Sequence, residues 1–183
     1  MKNKGFTLIE LLAAIVVLGI LLGLATTNVI GLIKKSRNNS YVEDAKKIVS
    51  SAKYKMASDT SIGQPAFKGD CLVMTLSYLG NEDFSTAPNG GKYLNQSSFV
   101  VVSKDASNEL HYDVQLVEKY GNGSYRGVKL VDDSKLTIES SSLVVNFTND
   151  GPYNKISYQQ SSFPFLTSDK CSKVRLYTDN AND

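Results

Sequence analysis

The apolar residues of this chain are crowded towards one end. From Phe6 to Ile33 it reads FTLIELLAAIVVLGILLGLATTNVIGLI, with Glu10 as its one charge, and Leu11 to Ala25 is apolar or glycine throughout. Such a run has no polar face, so it predicts a helix surrounded by apolar material rather than a half-buried surface helix. Phe6–Ala25 is 20 residues, and a helix of that length covers about 30 Å, one hydrocarbon core. The expectation is one membrane span kept as an anchor. A cleaved secretory signal has a shorter apolar region, about 7–15 residues, ending in a small-residue site. Here the run is longer and passes into a polar helical segment. No second such run follows.

The pattern changes over 34–60. Tyr41, Ala45, Ile48, Ala52 and Met56 recur at spacings of four and three, with Val42 and Val49 beside them, while Lys46, Lys47, Lys53 and Lys55 fall largely outside the stripe. This predicts an amphipathic helix with one face to bury, on the protein's own sheet or against a coiled-coil partner. Asp59-Thr-Ser-Ile-Gly63-Gln-Pro65 supplies the breaker residues that end it.

Beyond residue 60 the apolar stretches are short. Cys71–Leu79 is ambiguous between strand and helix. Ser98–Ser103, a turn at Lys104–Asn108 and the alternating Leu110–Val117 predict a β-hairpin, and Gly121-Asn-Gly-Ser124 a second turn. Val128–Val131, Leu143–Phe147, Lys155–Tyr158 and Val174–Tyr177 are further short strands, and Asp179–Asp183 is a polar tail. The class is α+β, a long N-terminal helix on a mostly antiparallel sheet. The chain divides into a basic leader (1–5), an apolar transmembrane and assembly helix (6–33), an amphipathic helix (34–60) and a globular, mostly β head (61–183).

Charge narrows the function more than it defines it. The 183 residues carry 20 Lys+Arg against 18 Asp+Glu, which excludes the strongly basic nucleic-acid binders. Lys34, Lys35 and Arg37, just past the apolar run, would suit anionic lipid or DNA, but a nucleic-acid partner has no other residue in its support. One histidine, His111, and two cysteines make a poor set for metal or Cys–His chemistry. Asp132-Asp133 lacks EF-hand spacing and reads as a turn. No catalytic or phosphate-binding signature is present, so the expectation is a protein without enzymatic activity, cofactor or metal.

Glu10 is the residue that asks for chemistry. A carboxylate within an apolar span costs up to about 2.5–3.5 kcal/mol at the helix centre and less near an end. It is either an interfacial charge that is tolerated or a group awaiting a cation. Cleavage before Phe6 would create an ammonium one helical turn away. Here Lys4-Gly5-Phe6-Thr7-Leu8-Ile9-Glu10-Leu11-Leu12 resembles the class III signal of type IV pilins and pseudopilins. The resemblance implies cleavage by a prepilin peptidase between Gly5 and Phe6, N-methylation of Phe6, and a role in assembly for Glu10 together with Thr7. It places the leader inside the cell and the head outside. Loss of Lys2 and Lys4 leaves 18 Lys+Arg against 18 Asp+Glu. Many pilins have a proline late in the apolar segment; this chain has Ala25-Thr-Thr-Asn28 instead.

The implied function is a structural subunit of a pilus-like surface filament, with the head supplying adhesion. The implied partners are further copies and related pilins, the prepilin peptidase and an inner-membrane assembly platform. The chain would be a single-pass membrane protein before assembly and part of an extracellular filament after it. The alternatives are a pseudopilin of a secretion or DNA-uptake machine and a plain membrane-anchored binding domain. An extracellular head favours a Cys71–Cys171 disulfide over two buried thiols, and many pilins have a C-terminal disulfide loop, usually a far shorter one.

Overall fold

The computed structural model describes residues 7–80, 84, 86–137, 141–148 and 170–179. The leader, Phe6, the Lys155–Tyr158 strand and the last four tail residues lie outside these. The chain forms two compact units, Met1–Ser36 and Arg37–Asp183. Helix α1 covers Leu8–Ser58, so its first part belongs to the first unit and its amphipathic part to the second.

In the second unit the expected stripe is the buried one. Tyr41, Val42, Ala45, Ile48, Val49 and Ala52 all lie in the core, which favours the chain's own sheet over a coiled-coil partner. The sheet contains β1 (Asp70–Thr75), β2 (Lys92–Tyr93), β3 (Phe99–Lys104), β4 (Leu110–Tyr120), β5 (Ser124–Asp132), β6 (Val144–Phe147) and β7 (Lys173–Tyr177). Its order is β6-β5-β4-β3-β1-β7, with β2 paired to the far end of β4. The β3–β4 and β4–β5 hairpins form where the turn residues predict them, with Asn108 in the left-handed region at φ 64°. The pairs are antiparallel except β1–β7, which is parallel.

The segment 71–79 is both of the things its sequence suggests. Strand β1 ends at Thr75, and one helical turn, α2, follows at Leu76–Leu79. Periodicity fails here because β1 is buried on both faces: Leu72 and Met74 join the core under the helix, Cys71 and Val73 a second cluster with Phe99 and Val101. A strand buried on both sides reads as a continuous apolar run. At Gly127 a Cβ would lie 2.0 Å from the Leu116 carbonyl oxygen, so glycine is what lets β5 lie against β4. Just beyond it the register shifts, two residues of β5 standing opposite Gln115.

Helix and sheet are joined by polar contacts as well as packing. Glu118 is fully buried on β4. The Tyr41 hydroxyl donates to its carboxylate, and the backbone N–H groups of Asn89 and Gly91 donate at 3.2 and 2.8 Å. Asn89 Nδ2 donates in turn to the Tyr41 oxygen at 2.8 Å, and Arg37 to Asn89 Oδ1 at 3.3 Å. Burial, then the neighbouring Glu118, raises the Tyr41 phenol far above its ordinary value, so it remains a donor. One turn along, the Tyr93 hydroxyl donates to Asp44 at 2.9 Å.

Each buried donor left unpaired costs about 1–3 kcal/mol. Glu118→Ala is therefore expected to lower the unfolding free energy by about 3 kcal/mol, and Tyr41→Phe, which strands fewer groups, by about 1 kcal/mol. Urea denaturation of the full chain in neutral detergent measures both; equal stabilities would mean that this network does not hold the helix.

Candidate functional site

The N-terminus of α1 is a reciprocal cap. The Thr7 hydroxyl and the Thr7 N–H each donate to Glu10 Oε2 at 2.8 Å, and the Glu10 N–H donates to Thr7 Oγ1 at 3.4 Å. This is a capping box, in which a Thr N-cap and a Glu three residues on satisfy each other's free donors. The Thr7-x-x-Glu10 spacing carries this cap signal in the sequence itself, beside the assembly role that the resemblance implies for the two residues. Both donors fall on one oxygen, and among the described residues none donates to Oε1. The carboxylate is thus held at the helix start with one oxygen available to a further cation. Gly5 and Phe6 lie outside the described residues.

Beyond the cap, every described side chain from Leu8 to Gly23 is exposed, as are Val29–Ile33. Leu8 is 82% and Ile30 68% exposed, and a Cβ added at Gly19, Gly23 or Gly31 would meet nothing within 4 Å. Apolar residues all round a helix require an apolar surrounding or partner helices. Among the described residues, no helix is long and apolar enough to cross a membrane. That differs from the expectation of a spanning helix over 6–33. The side chains of 24–28 fall outside the description, and Thr7–Gly23 alone is 17 residues, short of the ~20 that a span needs.

In the second unit, Cys71 and Cys171 are joined in a disulfide with Cα atoms 5.6 Å apart. The residues after Cys171 are fixed by more than this bond. Arg175 on β7 donates to both carboxylate oxygens of the buried Asp70, at 3.4 and 3.0 Å, and to the carbonyl oxygens of Ile62 and Gln64 at 2.9 and 3.0 Å. The Tyr177 hydroxyl donates to Ile62 O at 3.0 Å. Sequence reasoning missed Arg175, since a lone arginine in a short strand carries no signal until the parallel pairing places it beside β1.

His111, a poor candidate for metal or Cys–His chemistry from the sequence, joins two elements. Its Nδ1 lies 3.2 Å from Asp132 Oδ2 and its Nε2 3.4 Å from Asp105 Oδ2. Both ring nitrogens can donate only in the imidazolium. The bond to Asp105, then that to Asp132, raises the His111 pKa. The Asp105 carboxyl is held low by the Glu109 N–H and by His111. Burial pushes Asp132 up, but donors from Ser134 and His111 outweigh it and leave its pKa lowered. Asp132 Oδ1 also accepts from the Ser134 N–H at 3.0 Å, and a 3-10 turn follows at Asp133–Lys135, so the Asp132-Asp133 pair serves as a turn.

Over the segment that holds this cap, residues 1–26 match the prokaryotic N-terminal methylation motif, the class III signal of type IV pilins and pseudopilins. The chain is thus pilin-like or pseudopilin-like at its N-terminus, and the motif implies prepilin-peptidase processing and assembly into polymers. Comparison with curated proteins and with solved structures finds no match.

A raised His111 pKa adds stability that is fully present below the unfolded value near 6.5 and is lost as pH rises through the folded value. The lowered Asp pKa values add stability above about 3.9 that is lost in stronger acid. The thermal midpoint of His111→Gln should therefore fall further below wild type at pH 5 than at pH 8; an equal gap at both would sink the clamp. The bond between Cys71 and Cys171 spans 100 positions, and closing such a loop stabilises by up to about 4–5 kcal/mol. Cys71→Ser/Cys171→Ser should show a loss of that order in urea.

Proposed function

We propose that the protein is a structural, non-enzymatic subunit of a type IV pilus-like surface filament. The observation that carries this reading is an apolar helix, exposed all round, that starts at the Thr7–Glu10 cap inside a matched methylation motif. In the proposed sequence of events, residues 6–33 anchor the precursor in the membrane, residues 24–28 completing the length that Thr7–Gly23 lacks. Prepilin peptidase cuts after Gly5 and leaves Phe6 with a methylated ammonium. Glu10, held in place by Thr7, offers its second oxygen to the ammonium of a neighbouring copy, on the assembly platform and then in the fibre.

The energetics assign separate roles to the two interactions. Lipid tails are already apolar, so leaving lipid for a helix bundle gains little from burial itself, and close packing and charge pairing must select the partner. Gly19, Gly23 and Gly31, with open space around them, allow near approach of another helix. The head then forms the fibre surface and supplies adhesion.

In fibres sheared from cells, the intact mass should correspond to a chain that begins at Phe6 and carries one methyl group. Glu10→Val should insert in the membrane normally and give few or no filaments by electron microscopy. A full-length chain starting at Met1 and confined to membranes, or normal filaments from Glu10→Val, would overturn the reading.

A further inference from the structure

One surface of the second unit has no part in the assembly scheme. Between the β3–β4 turn and the end of β5 lies a groove of about 700 Å³, within the size range of small-ligand sites, lined by Lys68, Lys104, Lys129, Lys135 and Lys170 together with His111. Three carboxylates, Asp105, Asp113 and Asp132, share it. The charges are unevenly matched: Lys170 pairs with Asp113, and His111 with Asp105 and Asp132. Among the described residues, Lys68, Lys104, Lys129 and Lys135 have no ion-pair partner. Four lysines with no ion-pair partner among the described residues surround one concavity, in a chain whose formal net charge is only +2.

From this groove we infer a binding site for an anionic sugar chain, one bearing sulfate or phosphate esters. The unpaired lysines provide the charge, as compact donors that contact anionic oxygens without a fixed fork geometry. The carboxylates define the rest of the ligand. They would repel a uniformly anionic surface, yet they are acceptors for hydroxyl groups, and a sulfated or phosphorylated sugar brings both anionic oxygens and hydroxyl donors. Single-stranded nucleic acid is recognised on aromatic stacking platforms, and among the described residues no Phe, Tyr or Trp lines the groove. The site does not depend on the filament reading, because every residue in it belongs to the second unit.

The test uses the full chain in neutral detergent with a fluorescent heparin hexasaccharide as probe, followed by anisotropy at 50 mM salt. The probe should bind, the affinity should fall as salt rises, and uncharged dextran should not compete. Lys104→Gln/Lys129→Gln should bind at least tenfold more weakly with an unchanged thermal midpoint, while Lys104→Arg/Lys129→Arg, which keeps both charges, should retain the affinity within a few-fold. Lys46→Gln/Lys47→Gln, on the helix away from the groove, should leave binding as in wild type. Should the first double variant unfold, Lys129→Gln alone serves, since Lys129 is exposed. No binding, or equal weakening by the Lys46/Lys47 variant, would overturn the site. A single-stranded DNA of matched charge that displaced the probe equally well would overturn the sugar class.

Discussion

A carboxylate with no access to water must have its hydrogen bonds supplied by the protein, and Glu118 draws the second unit together around that requirement. It has three donors from two places: the Tyr41 hydroxyl on the helix and two backbone N–H groups in the loop before β2. Glycine at 91 is part of the same solution, because a Cβ there would meet the Lys119 carbonyl oxygen at 2.1 Å and Glu118 Oε1 at 2.9 Å. Apolar packing alone would tolerate some sliding of the helix along the sheet. A buried ion with three donors does not, since a displaced helix would leave it unsolvated.

Helix α1 meets opposite solvent problems along its length. From Tyr41 to Ala52 one stripe is covered by the chain's own sheet, and the rest faces water through lysines and serines. From Leu8 to Ile33 the described side chains are apolar around the circumference and uncovered. The first pattern is complete within one molecule. The second needs other molecules, lipid or protein, and the Thr7–Glu10 cap puts the one carboxylate of the run where a cation can still reach it.

Much of this was legible in the sequence. The buried stripe from Tyr41 to Ala52 followed from period, because the helix has one wet face, and the hairpin on either side of Asn108 followed from its turn residues set between two apolar runs. Where both faces are buried, as in β1, period carries no information, and the strand-to-helix change at Thr75 stayed hidden. The two-residue β2 is too short to have a pattern. Glu118 looked like any charged residue near a strand end; its burial depends on a loop far away in the chain. His111 and Asp132 come together through the β4–β5 register, which local sequence does not set, and so does the lysine-lined groove. The match over residues 1–26 rests on a compact local signature, for which neighbouring residues suffice.

The bond between Cys71 and Cys171 also changes how the molecule responds to being pulled or cut. It turns the stretch between them into a closed covalent ring whose ends are 5.6 Å apart. A chain drawn out by its termini can lengthen only through what lies outside that ring. Opening it would release a further 100 residues, about 330–360 Å of contour. A single backbone break inside the ring would likewise leave both halves attached. A chain closed in this way can lose a peptide bond under load or protease attack and still keep its two ends in one covalent piece.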